Sequence, residues 1–189
     1  TETPTLTVTG TSTGTPTITG TPTSSPTATA TTCSSHGLTS QIGLGGFSTD
    51  DYYSDQVGLG QSTYVSSFSV YCQDNSSTGE SAYIALYNAS SGVLETSATF
   101  SVKLSDGSSY KTVAITPVTL PAGTYNLVIL VPSGTNTLNV GASPNSVNFE
   151  YGTYAGGAPP ANYSTLSATN LTGGFESVSG QTFYFTGCP

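Results

Sequence analysis

Threonine occupies every odd-numbered position from Thr1 to Thr23. Side chains of an extended strand point alternately to its two faces, so this alternation would place the threonines on one face and Leu6, Val8 and several small residues on the other. Pro4 and Pro16 bound a window without proline, a residue that central strands exclude because it cannot donate a backbone hydrogen bond. Residues 5–15 are therefore predicted to form one extended strand of roughly 36 Å.

The arm, residues 1–32, has two other interpretations. Sequence rich in Ser, Thr and Pro is typical of a mucin-like, O-glycosylated spacer, and residues 21–32 fit that pattern well; plain disorder is the other possibility. Neither requires a two-residue alternation, whereas threonine favours a strand because its branched side chain suits a pleated surface. A lone strand is unstable in water, so it must pair with its own domain or with a neighbouring molecule.

From Cys33 onward the chain consists of short runs of alternating apolar and polar residues, separated by turn sequences such as DNSSTG, NASSG and LPAG. No segment shows a convincing helical period of 3.6 residues, and residues 156–174 are predicted to form a long surface loop. Strands are predicted at residues 62–72, 81–88, 93–104, 110–120, 123–131, 136–141, 147–154 and 181–187. The pattern predicts an all-β domain over residues 33–189, an antiparallel two-sheet sandwich of jelly-roll type.

Only 6% of the residues are charged, with ten acids against two lysines. This balance offers no electrostatic attraction to nucleic acid or to an anionic membrane, and no apolar run approaches the roughly 18 residues of a membrane-spanning helix, so neither partner is expected. We expect no catalysis, because His36 is the single histidine and nothing in the sequence brings Glu150 and Glu176 together as a carboxylate pair. No cofactor is expected beyond covalent glycans.

The three cysteines, Cys33, Cys72 and Cys188, allow three alternative disulfides. The pair Cys33 and Cys188 is favoured because it joins the two ends of the predicted domain, and closing a long loop stabilises by roughly 4 to 5 kcal/mol in the chain-entropy model. Cys72 shares strand parity with Phe68 and Val70, which predicts a buried core thiol.

Three further groups of residues are candidates for binding or modification. Asp50, Asp51 and Asp55 lie in an acidic stretch predicted to be a polar loop, and such oxygen ligands can hold calcium. Tyrosine faces pack well on sugars, and the candidates for such a platform are Tyr52, Tyr53, Tyr151, Tyr154 and Tyr163. Sequons at predicted loops give the N-glycosylation candidates Asn75, Asn88, Asn162 and Asn170. The O-glycosylation candidates are Thr7, Thr9, Thr11, Thr13, Thr15, Thr17, Thr19, Thr21 and Thr23.

The strands STYVSSFSVYC and SAYIALYNASSGVLETSA, the segment PVTLPAGTYNLVIL and the closing FYFTG resemble the jelly-roll modules of many secreted and cell-surface proteins. This resemblance covers residues 56–187 and is structural, so it indicates a fold more than a function. With an N-terminal strand before a β-sandwich, the chain is also similar to the subunits of donor-strand filaments, such as chaperone-usher pilins and the archaeal pili and threads built the same way.

That second resemblance implies an extracellular, glycosylated filament, a head-to-tail homopolymer in which each subunit donates its arm to the next. Leu6 and Val8 would be the anchors, and burying two such side chains contributes roughly 3 to 6 kcal/mol. The rest of the donor strand would be Thr5, Thr7, Thr9, Gly10, Thr11, Ser12, Thr13, Gly14 and Thr15. The alternative is a monomeric cell-surface adhesion or carbohydrate-binding module on a glycosylated spacer, with glycans or surfaces as partners.

Overall fold

The computed structural model describes residues 32–39, 43–47, 51–74, 79–132, 138–154, 157–167, 176–181 and 183–189. The donor-strand residues, including Leu6 and Val8, and the O-glycosylation candidates lie outside these ranges. The described strands are β1 Ser34–Gly37, β2 Gly43–Phe47, β3 Asp51–Leu59, β4 Thr63–Asp74, β5 Glu80–Asn88, β6 Leu94–Val102, β7 Ser109–Leu120, β8 Gly123–Val131, β9 Leu138–Thr153, β10 Glu176–Gln181 and β11 Phe183–Cys188. One helical turn, α1 Ser164–Ser167, and a 3-10 turn at Leu104–Asp106 accompany them. Within these ranges no helix has the length and apolar character of a membrane span.

The strands pair antiparallel and form two sheets that pack face to face, which confirms the predicted all-β, two-sheet sandwich. The first sheet has the order β6-β5-β8-β3-β9-β10, and the second has the order β7-β4-β11-β1. Strand β9 belongs to both sheets: its residues 149–153 pair with β3, whereas its residues 138–140 pair with the end of β4. β2 pairs with the same first half of β9. A strand that changes sheet in this way closes one corner of the sandwich.

The core between the sheets follows from the alternation of side chains along the strands. In β4, Val65, Phe68 and Val70 face inward, and a β-bulge between Val65 and Ser67 accounts for the change in spacing. In β8, Leu127 and Ile129 face the same core. Each of these five side chains is at most 1% exposed, so their burial is the main source of stability for the sandwich.

The outer face of the first sheet is buried as well. Tyr52, Tyr87 and Leu130 on this face pack against Tyr163 and Leu166, which come from residues 157–167. We call residues 157–167 the cover segment. Most of the cover segment is irregular and exposed, as predicted for a surface loop, but Tyr163 and Leu166 are buried, so the segment also adds a third layer. Its contact explains the unbroken apolar run near the end of β8, since a strand buried on both faces has no polar side to alternate with.

A disulfide joins Cys33 to Cys188, as predicted, and closes a loop with a sequence separation of 155 residues. Cys72 is a free thiol and is fully buried in the core, as its parity indicated. Cys33 directly precedes β1 and Cys188 ends β11. The covalent bond therefore fastens β1, at the edge of the second sheet, to its one neighbour among the described strands.

Candidate functional site

Two strand edges that have no neighbour among the described strands lie side by side on one flank of the sandwich. Among the described residues, no strand pairs with the outer edge of β1. Strand β3 pairs with β9 over residues 51–55, and its residues 57–59 have no described neighbour on that side. This gap arises because β9 leaves β3 at Asp55 and continues toward the second sheet. β1 contacts β3 here, and we call the opening between these two edges the seam.

The seam contains a cavity of about 290 Å³. Residues 35–38 line one side of it and residues 55–58 line the other. The lining combines the apolar Leu38 and Val57 with the polar His36 and Asp55, and Asp55 is fully buried. A cavity of mixed polarity next to a strand edge without a described neighbour can accept a segment that brings both side chains and backbone hydrogen bonds.

His36 is held in place at the inner side of the seam. Its ring stacks on the core residue Phe185 with ring centroids 5.2 Å apart, and its Nε2 atom lies 3.1 Å from the Ser34 hydroxyl. Partial burial lowers the pKa of His36 below its usual value of 6.5, so the ring is neutral at pH 7. Gly187 allows this packing, since a Cβ atom there would lie 2.3 Å from Thr63 Cγ2 and 3.1 Å from His36 Cδ2.

The acidic stretch does not form the polar loop expected of a calcium site. Asp50 lies outside the described residues, whereas Asp51 begins β3 and Asp55 lies within it. The loop prediction is wrong for these two, because Tyr53, Asp55 and Val57 alternate as a strand does, and Tyr53 and Val57 pack on the core between the sheets. No group of three His, Cys, Asp or Glu side chains suited to a metal ion occurs in the described part of the chain.

The tyrosines expected to form a sugar platform lie elsewhere. Tyr52 is buried beneath the cover segment, and Tyr163 is a buried residue of that segment, so the expectation is wrong for both. Tyr53 is half-buried against the core between the sheets, and Tyr154 is half-buried against the core beneath the cover segment. Tyr151 lies in β9, and its side chain is not part of the described structure. A different group, Tyr71, Tyr110 and Tyr184, forms a cluster of touching rings on the outer face of the second sheet. We call these three residues the tyrosine cluster.

Two of the four sequons lie together at the turn between β5 and β6. Asn88 accepts hydrogen bonds of 3.0 Å from the backbone N–H groups of Ser90 and Ser91 through its Oδ1 atom. Asn162 is exposed and accepts bonds from the backbone N–H and the hydroxyl of Ser164, at 3.3 and 3.1 Å. In both residues these bonds use the carbonyl oxygen, whereas a glycan attaches to the amide nitrogen. Asn75 and Asn170 lie outside the described residues.

Comparison with known proteins gives no match to any protein-family model, curated protein or solved structure. The functional assignment therefore depends on the seam, on the tyrosine cluster and on the sequence of the arm. Sequence reasoning missed both surface features. The tyrosine cluster depends on the register of β4 with β7, and the seam depends on the point at which β9 leaves β3. Neither is visible in local sequence patterns.

Proposed function

We propose that this chain is the structural subunit of an extracellular, glycosylated filament, in which the arm of one subunit adds as a strand to the seam of the next. The observation that carries the proposal is the seam, where the outer edge of β1 and residues 57–59 of β3 lack neighbours among the described strands. Unpaired strand edges accept a further strand because its backbone supplies partners for their N–H and C=O groups. The function is then mechanical and adhesive.

The dimensions of the seam suit the two proposed anchors. The edges without a described neighbour are about four residues long in β1 and about three in β3, or roughly 13 and 10 Å. Leu6 and Val8 are two positions apart and would point to one face of a strand with a spacing of roughly 7 Å. The cavity of about 290 Å³ is about ten times the volume that one water molecule takes in the liquid. Gly10, Ser12 and Gly14 would extend beyond the cavity.

The point at which the arm joins the domain also suits a load-bearing role. The arm continues into Cys33, and Cys33 is covalently joined to Cys188 at the end of β11. Tension applied to a donated arm would enter the domain at this disulfide rather than through the four residue pairs of β1 and β11 alone. Donation to a neighbour is a head-to-tail contact that need not close, so it generates a filament rather than a ring.

Cross-linking between the arm and the seam tests the proposal. Val8→Cys is combined with Gly58→Cys, since Gly58 lines the cavity and a Cβ atom there would meet nothing within 4 Å. A short bifunctional thiol reagent should convert assembled protein into a ladder of covalent multimers on a denaturing gel. Gly60→Cys is the matched control, because that position has equally open space but does not line the cavity. Cys72 is buried and should not react.

Each outcome has a distinct meaning. A ladder with Gly58→Cys and not with Gly60→Cys supports donation between subunits. Cross-linked monomers would contradict the filament and support the alternative, a monomeric surface module whose arm folds back on its own domain. No cross-link above the control would show that the arm does not occupy the seam. Independently, Leu6→Asp with Val8→Asp should abolish filaments and leave a folded, soluble domain, because it removes roughly 3 to 6 kcal/mol of apolar burial.

A further inference from the structure

The tyrosine cluster exposes aromatic surface on the outer face of the second sheet. Tyr71 of β4 lies directly opposite Tyr110 of β7, with ring centroids 5.1 Å apart. Tyr184 of β11 adds a third ring, 5.7 Å from that of Tyr110. Tyr110 nevertheless remains 38% exposed. A cross-strand aromatic pair stabilises a sheet, but sheet stability alone requires neither the third ring nor this exposure.

Tyr110, the central ring, is fixed before any ligand arrives. It contacts the rings of Tyr71 and Tyr184, and its hydroxyl donates a hydrogen bond to the backbone carbonyl of Thr39. Burial and the two neighbouring tyrosines raise the pKa of Tyr110, so its hydroxyl stays protonated and continues to donate. A ring held in this way loses little conformational freedom when it binds a partner, which favours affinity.

Neutral polar groups adjoin the rings. The hydroxyls of Ser69 and Thr112 lie 2.9 Å apart across β4 and β7, and the Ser108 hydroxyl donates to Gln73 Oε1 at 2.9 Å. Lys111 has the opposite strand parity to Tyr110 and forms an ion pair of 3.0 Å with Asp106. The cluster therefore combines apolar rings with hydroxyl and amide groups, and the nearest cation in this strand is already neutralised.

We propose that the tyrosine cluster binds a neutral saccharide chain. Sugar rings place apolar C–H faces on aromatic side chains, while their hydroxyls exchange hydrogen bonds with hydroxyl and amide groups. A polyanion would be repelled, because the chain carries a net charge of -8. A purely apolar partner would cover Gln73 and Thr112 and leave the rest of their hydrogen-bonding capacity unused, at a cost in free energy. This proposal does not rest on strand donation, so the protein could bind saccharide as a filament or as a monomer.

Affinity electrophoresis of the full chain tests the proposal. The gels contain a soluble neutral polysaccharide, in turn mannan, laminarin, xyloglucan and hydroxyethyl cellulose, with dextran sulfate as the anionic comparison. At least one neutral polysaccharide should retard the protein, and dextran sulfate should not. Tyr110→Ala and Tyr184→Ala should each weaken binding by about tenfold, as loss of a central aromatic contact does. Tyr110→Phe keeps the ring and should retain binding.

Tyr64→Ala is the matched control, because Tyr64 is a 45% exposed tyrosine in the same strand, β4, with no place in the cluster. Circular dichroism and thermal unfolding of each variant separate loss of binding from loss of fold. Unchanged binding by folded Tyr110→Ala and Tyr184→Ala, or an equal loss with Tyr64→Ala, would overturn the proposal. So would the absence of retardation by all four neutral polysaccharides, or retardation by dextran sulfate alone.

Discussion

Removal of the Cys33–Cys188 disulfide should both destabilise the domain and loosen the seam. The bond closes a loop with a separation of 155 residues, for which the chain-entropy model gives about 5 kcal/mol at 25 °C. Typical domains are stable by only about 5 to 15 kcal/mol, so this loss would be a large share of the total. The local effect should be strongest at β1, whose described pairing is limited to four residues of β11.

Urea unfolding of the double variant Cys33→Ser with Cys188→Ser, followed by tyrosine fluorescence, measures the global effect. Hydrogen exchange of the β1 amides measures the local one. We expect the double variant to have a lower unfolding midpoint than the parent protein. We also expect the rate of amide exchange to increase more in β1 than in the buried strand β8. Reducing agent should reproduce the loss in the parent protein and leave the double variant unchanged. A loss below about 1 kcal/mol, which is typical of an ordinary single substitution, or unchanged exchange in β1 would refute the reasoning.

Three other predictions concern the cover segment and the seam. Gly92→Ala should destabilise the protein by clearly more than Gly60→Ala, because Gly92 has positive φ and a Cβ atom there would lie 2.6 Å from Asn162 Oδ1, whereas Gly60 has no positive φ and has open space. Equal losses on thermal unfolding would contradict the packing described. Leu166→Ala should lower the free energy of unfolding by about 2 to 5 kcal/mol, because Leu166 is 1% exposed, and an unchanged urea midpoint would show that the cover segment does not belong to the folded unit. Burial lowers the pKa of His36 below 6.5, so as the pH falls the unfolded chain takes up the proton before the folded protein does. Stability that is present above pH 6.5 should therefore be lost as the pH falls through the folded pKa. Urea titrations from about pH 7 to 5 should show a flatter dependence of stability on pH for His36→Gln. Identical profiles would contradict the assigned burial.

Apolar or alternating runs between turn sequences predicted several strands well. The segment 123–131 coincides with β8 Gly123–Val131, and residues 110–120 differ from β7 Ser109–Leu120 by one residue. Strand β3 was missed because its acidic residues indicated a polar loop. Asp55 is instead fully buried within the strand, an exception to the usual exposure of aspartate. Two predicted strands, 136–141 and 147–154, are parts of the single strand β9. β9 runs through Pro144 on its way from one sheet to the other.

The features that bear on function depend on contacts between distant segments. The apolar run near the end of β8 already carried a signal for burial on both faces, and it could have predicted the third layer formed by Tyr163 and Leu166. To predict the tyrosine cluster, one would need the register that places Tyr71 opposite Tyr110, although the two residues are 39 positions apart in the chain. The seam needed the position at which β9 leaves β3. Strand parity gives the face of a residue, but only the pairing of strands gives its neighbours.

Electron microscopy of the native protein beside a version that lacks residues 1–15 tests strand donation most directly. Both versions retain Cys33, Cys188 and the whole of the described sandwich, so any difference between them belongs to the arm. We predict filaments for the native protein and folded monomers for the truncated one. Filaments in both samples, or monomers in both, would contradict assembly by donation of the arm.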